Sequence, residues 1–183
     1  LMNPPYLGIK DNAEKIGYLR ELPEWQHIVT NKYDLFYFFI ARAIEILSSS
    51  GRMGCITTAY WPTADGAEKL RAYLAGTASP ESFVCFHEIK LFSAAKGQHN
   101  LISIFQKGNT AQNGIRIMEL EPGRGDPKLS SLELDYLEKQ RNSKMLVLKE
   151  YISALTLREI QDGGTKVWNF NIEGGGKGDA ILS

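Results

Sequence analysis

Four residues near the start of the chain have types and spacing suited to a defined chemistry: Asn3, Pro4, Pro5 and Tyr6. A nitrogen whose lone pair is delocalised, such as the exocyclic N6 amine of adenine, is a poor nucleophile. Two acceptors on its two N–H groups would draw that nitrogen toward pyramidal geometry and localise the lone pair. Asn3 can offer a side-chain carbonyl and Pro4 a backbone carbonyl. Pro5 fixes its own φ and biases Pro4 toward an extended conformation, and Pro4 does the same to Asn3. Neither proline nitrogen can compete as a donor. Tyr6 supplies a flat face on which an extruded base could stack, at ~1–3 kcal/mol. Extrusion itself costs on the order of a few kcal/mol. With a sulfonium methyl donor the remaining tasks are positioning and polarisation, and no strong general base is needed. An amide nitrogen poses the same problem of nucleophilicity. A rigid turn closing a strand is a purely structural use of the same tetrapeptide.

These residues need a frame to hold them. Leu1-Met2 reads as the stub of a strand ended by the proline pair. Residues 7–33 read as a long loop with one short helix. From Asp34 to Leu47 the apolar residues Phe36, Phe39, Ile40, Ala43, Ile44 and Leu47 recur at helical spacing. Asp34 stands at the N-cap, and Gly51 follows the C-terminus. Residues 52–61 (RMGCITTAYW) form a near-continuous apolar run stopped by Pro62, as in a buried parallel strand. Residues 63–74 predict a second helix, and 82–89 and 101–106 predict two more strands. Strands alternating with helices indicate an α/β parallel sheet, and the last two strands, with no helix between them, suggest an antiparallel edge. Residues 129–162 read as helical in two pieces, and 163–183 as a Gly-rich tail.

Bulk composition sets outer bounds. Hydrophobic residues make up 43% and charged residues 23%, which suits a globular domain. Twenty-one basic residues balance 21 acidic ones. That excludes a uniformly basic coat for nucleic acid, whose affinity rests on Lys and Arg at phosphates, but leaves room for a local basic groove. Cys55 and Cys85 lie in apolar runs and read as buried free thiols of a cytoplasmic protein. No metal site is expected, because no Cys/His cluster has ligand spacing. No apolar run reaches the ~18 residues of a membrane span. Arg124-Gly125-Asp126 reads as a loop coincidence.

The order of these segments is more specific than the tetrapeptide. Asn3-Pro4-Pro5-Tyr6 resembles motif IV of the gamma-class N6-adenine DNA methyltransferases of restriction-modification systems. The segments YDLFYFFIARAIEILSSSG, RMGCITTAYW and EKLRAYLAG resemble that family's next helix, strand and helix. Lys90-Leu91-Phe92 followed by LISIFQK resembles its late motif. The resemblance runs over roughly residues 1–108.

The resemblance implies a partial Rossmann-like, S-adenosylmethionine-dependent methyltransferase sheet, mostly parallel with an antiparallel edge and a helical C-terminal appendage. Residues 1–112 would be the later half of the catalytic domain, and 113–183 a helical, Gly-rich extension toward a target-recognition region. Asn3 and Pro4 would accept the adenine amine, with Tyr6 and Phe92 stacking on the flipped base. Pro5 and Phe39 would border S-adenosylmethionine, although Phe39 also reads as a core helix aromatic and Phe92 as an ordinary loop anchor. Lys96 and Gln98 could touch DNA phosphate or simply lie in solvent. The partners implied are double-stranded DNA and the remainder of the same polypeptide. The family's Gly-rich cofactor loop does not occur here, and Gly174-Gly175-Gly176-Lys177-Gly178 lacks the strand–helix setting to replace it. The expectation is therefore an internal piece of a longer protein that binds cofactor weakly or not at all in isolation. Two other readings stay open: a glutamine-N5 methyltransferase acting on protein, against which Phe92 and the extension after residue 108 speak, and a non-catalytic interaction module.

Overall fold

The sequence places its longest apolar helix between the stub at Met2 and the apolar run that follows, so these three elements must pack together. They do. The structure is a computed structural model that describes residues 1–86, 91, 99–108, 115–122, 146–153 and 168; for 119–122 and 146–153 it describes the backbone alone. In chain order the elements are α1 (Ile9–Ile16), α2 (Leu35–Ile46), β1 (Arg52–Thr58), α3 (Glu68–Thr77), β2 (Ala78–Cys85), β3 (Asn100–Lys107), β4 (Ile115–Pro122) and β5 (Leu146–Ser153). Short 3-10 turns follow α1 at Gly17–Glu21 and Pro23–Trp25, and another precedes α3 at Asp65–Ala67.

The sheet order is β1-β3-β2-β4-β5. The Met2 stub lies parallel beside β1, through Met2 N to Gly54 O at 3.0 Å and Ile56 N to Met2 O at 3.1 Å. β3 runs antiparallel to both β1 and β2, β4 runs parallel to β2, and β5 runs antiparallel to β4. The stub, β1, β2 and β4 thus share one direction, with β3 and β5 reversed. The expected α/β class holds, but the reversed strand β3 is inserted between β1 and β2 rather than left at an edge. Most neighbouring pairs are therefore antiparallel even though most strands point one way. The sheet also continues past residue 112 through β4.

The helical expectation for residues 129–162 fails at Leu146–Ser153, which forms β5 in an eight-residue register with β4. Its sequence, LVLKEYIS, mixes helix formers with β-formers, and cross-strand pairing overrides local propensity. The rest of that span lies outside the described residues. β2 begins directly at the end of α3 and runs through Pro80, where the register with β3 shifts. Proline cannot donate to a ladder, and pairing of β2 with β4 starts only at Ser82, beyond it.

Helix α2 is held at both ends. Asp34 accepts from Phe36 N at its N-terminus, as its type and position predict. Lys107 Nζ binds the carbonyls of Glu45 and Leu47 at 2.7 Å each, placing a cation on the unpaired carbonyls of the last turn. Its buried face is Phe36, Tyr37, Phe38, Ile40, Ala41 and Ile44. Phe39 projects outward at 44% exposure, so the reading of it as a core aromatic does not hold.

The core closes around Trp61, Phe83 and Phe105. Trp168 joins them fully buried, with ring centroids 5.4, 6.2 and 6.1 Å from those three residues, and its backbone N–H donates to Pro62 O. Cys55 and Cys85 are free and buried, as expected. Among the described residues no helix is long and apolar enough to cross a membrane.

Candidate active site

The Asn3–Tyr6 turn leaves the end of the Met2 stub, beside the middle of β1. Asn3 and Pro5 are exposed, Pro4 is buried and Tyr6 is half-buried. The Tyr6 hydroxyl lies 2.9 Å from Asn3 Oδ1 and 3.0 Å from Ile56 O, so its one proton is offered to two acceptors. Asn3 Oδ1 has two lone pairs, and this contact uses one of them. The Tyr6 ring meets Phe36 edge-on, at 6.0 Å and 83°.

Burial pushes the Tyr6 phenol up to about 12, with Cys55 and Asp34 nearby adding to the effect. The hydroxyl is therefore a donor at any physiological pH. Burial also pushes the Cys55 thiol up to about 12, which keeps it unreactive beneath the turn.

Downstream, the turn is tied to the start of α2. Leu7 N donates to Asp34 Oδ1 at 3.0 Å, Leu35 N to Leu7 O at 3.0 Å, and Ile9 N to Tyr33 O at 2.9 Å. Asp34 also receives the Tyr60 hydroxyl at Oδ2, at 2.8 Å. Burial raises the Asp34 carboxyl above the usual range, opposed by hydrogen bonds from Tyr60 and from the backbone of Phe36, Leu7 and Leu35. Tyr60 lies on the tight turn after β1. That turn is held by buried Arg71 of α3, whose Nη1 donates to Trp61 O at 2.8 Å and Ala64 O at 2.7 Å.

The structure thus places Asn3, Pro4, Pro5 and Tyr6 on one short segment, tied to β1 through Met2 and to the start of α2 through Leu7. Phe39 sits on the helix that anchors this turn, one helical turn beyond the Phe36 that touches Tyr6. Phe92, Lys96 and Gln98 lie outside the described residues. Sequence reasoning missed Tyr60 and understated Asp34, which it assigned only a helix cap. A tyrosine directly after a buried strand and two residues before proline was the available signal. Among the described residues no three His, Cys, Asp or Glu side chains gather as a metal site would need.

A profile of the Eco57I restriction-modification methylases matches residues 1–92, half of the 183-residue chain. The chain belongs to the Eco57I restriction-modification methylase family. No curated protein sequence matches it significantly. Solved structures resemble it at the level of fold. One is the type IIG restriction endonuclease BpuSI, at 14% identity and a TM-score of 0.52 over 90% of this chain and 20% of that one. Another is a modification subunit of a putative type I restriction enzyme from Vibrio vulnificus YJ016, at 16% identity and a TM-score of 0.56 over 81% of this chain and 32% of that one. The Eco57I-family chain therefore spans about a fifth to a third of the proteins whose fold it shares. The match ends at residue 92, so β3, β4, β5 and Trp168 lie beyond the family profile but within the same sheet and core.

Proposed function

We propose that this chain forms the base-binding half of a DNA methyltransferase that moves a methyl group from S-adenosylmethionine to adenine N6 in duplex DNA. In this reading residues 1–112, together with β4, β5 and the buried Trp168 that complete the same sheet and core, are the later half of the catalytic domain, and the rest of 113–183 leads toward a target-recognition region. The rest of the same polypeptide completes the cofactor site, and the enzyme works on DNA in the cytoplasm. The observation that carries the reading is the turn at residues 3–6. It joins an exposed carboxamide, a proline-fixed backbone carbonyl and an aromatic ring, anchored at one end to β1 and at the other to α2.

Asn3 Oδ1 and Pro4 O accept the two N–H groups of the extruded base. Polarisation toward these oxygens localises the nitrogen lone pair where the methyl group arrives. Tyr6 stacks on one face of the base and Phe92 on the other, while Lys96 and Gln98 contact backbone phosphate. A bound S-adenosylmethionine supplies an activated methyl group. On this chain Pro5 and Phe39 would border it, and Phe39 fits the role: its ring is exposed on a helix whose neighbouring aromatics are all buried.

The test is methyl transfer by the full-length protein from labelled S-adenosylmethionine to duplex DNA, followed by digestion to nucleosides. Label in N6-methyl-2′-deoxyadenosine is the expected outcome. Label only in protein glutamine, or no transfer at all, would contradict the reading.

A further inference from the structure

A helix N-cap needs one side-chain oxygen for one or two helix N–H groups, and Ser, Thr or Asn serve as well as Asp. Asp34 does more than that. It is 4% exposed, and its carboxylate receives three donors from three segments: Phe36 N at 3.3 Å within its own helix, Leu7 N at 3.0 Å directly after the Asn3–Tyr6 turn, and Tyr60 Oη at 2.8 Å after β1. A buried carboxylate is costly unless its lone pairs find donors, and these three donors occupy three of its four acceptor sites. Arg71, 3% exposed, extends the chain of contacts by pinning the turn that carries Tyr60. Upstream, the same Asn3–Tyr6 turn is fixed by the Met2 bonds to Gly54 and Ile56 of β1. The turn is therefore closed into a ring of hydrogen bonds. The ring runs from β1 through Met2, the turn, Leu7, Asp34 and Tyr60 back to the end of β1.

We propose that Asp34 and Tyr60 are positioning residues that lock the exit of the Asn3–Tyr6 turn and so hold the Asn3 and Pro4 carbonyls at the spacing a base amine requires. This rests on the proposed methyl transfer. Neither residue touches the base. Their effect passes through Leu7 to the turn, and a displacement of about 1 Å at a reacting centre can cost on the order of a hundredfold in rate.

The experiment compares wild type, Tyr60→Phe, Asp34→Asn and Asn3→Ala in the full-length protein, on a duplex bearing the site that the wild type methylates. Single-turnover methyl transfer, DNA affinity and thermal midpoint are read together. Tyr60→Phe removes one hydroxyl on a half-exposed ring and keeps the other Asp34 bonds. The expected result is a loss of about tenfold in transfer rate, with DNA affinity changed by less than about twofold. Asp34→Asn should lose more, again in rate rather than affinity. A purely structural role predicts a lower thermal midpoint with an unchanged rate per folded molecule, and that result in Tyr60→Phe overturns the proposal. If Asp34→Asn does not fold, Tyr60→Phe decides alone. Asn3→Ala separates the two levels of the argument. Full activity there sinks the methyl-transfer mechanism and this inference with it. An inactive Asn3→Ala beside a fully active Tyr60→Phe sinks only the lock.

Discussion

The Tyr6 hydroxyl stands 2.9 Å from Asn3 Oδ1 and 3.0 Å from the carbonyl of Ile56 in β1. One side chain thus links the exposed amide of the turn to the sheet beneath it. Under the proposed methyl transfer the ring and the hydroxyl of Tyr6 have separable tasks: the ring would offer a stacking face, and the hydroxyl would orient Asn3.

Tyr6→Phe separates them. The ring and its edge contact with Phe36 survive, while both hydrogen bonds are lost. The Ile56 carbonyl faces the Met2 stub and loses the Tyr6 donor, so the stability cost is at least about 1 kcal/mol. Methyl transfer should slow several-fold, and Tyr6→Ala should slow it much further because stacking is lost as well. Equal rates for the two variants would show that the hydroxyl alone mattered.

Alkaline pH should unfold the protein earlier than its ordinary surface charges would. Burial holds Cys55 and Tyr6 at about 12, above ordinary values of 9.0 and 10.0. Between those limits the unfolded chain releases protons that the fold retains, so stability is complete below pH 9 and falls from there toward 12. Each group contributes a slope of up to ~1.4 kcal/mol per pH unit. Denaturant midpoints measured from pH 7 to 11 check this, and Cys55→Ala should flatten the fall.

Two glycines should respond with opposite signs. At Gly66 a Cβ would overlap the Lys32 carbonyl, and the Gly66 carbonyl already accepts from Thr30 Oγ1 at 2.9 Å. Gly66→Ala should cost at least about 2 kcal/mol and disturb the turn that leads into α3. Gly76 is exposed in α3, with nothing within 4 Å of a Cβ. Gly76→Ala should gain about 0.5 kcal/mol. Urea unfolding of both variants tests the pair.

Trp168 lies 106 residues beyond Pro62, the residue whose carbonyl it binds, yet it is fully buried. Trp168→Ala should cost about 3–5 kcal/mol, and the loss should appear as a lowered midpoint in chemical denaturation. A midpoint unchanged within error would mean that this tryptophan is no part of the core.

Much of this was legible in the chain itself. The helix beginning at Asp34 was marked by its cap and its apolar spacing, and β1 by an apolar run ended before Pro62. Phe39 misled because a run of seven apolar residues from Leu35 to Ala41 supports more than one helical face, and only packing decides which face is buried. β2 starts four residues earlier than expected. Its opening ASPE reads as a turn, and Pro80 is tolerated there because β4 pairs only farther along. β5 was hidden by helix-forming residues whose strand depends on a partner about 30 positions away. Tyr60 and Arg71 were invisible as site residues, since their roles depend on contacts with Asp34 and with the 61–64 turn. The tetrapeptide announced itself because its chemistry is local. The atoms that hold it are spread over 70 residues.

The most direct test of the central claim is the single-turnover rate of adenine N6 methylation by full-length wild type and Asn3→Ala enzymes at saturating S-adenosylmethionine. If two fixed carbonyls activate the amine, loss of the Asn3 oxygen should lower the rate by about a hundredfold or more, while DNA affinity stays within about threefold. Equal rates in the two enzymes would contradict the account.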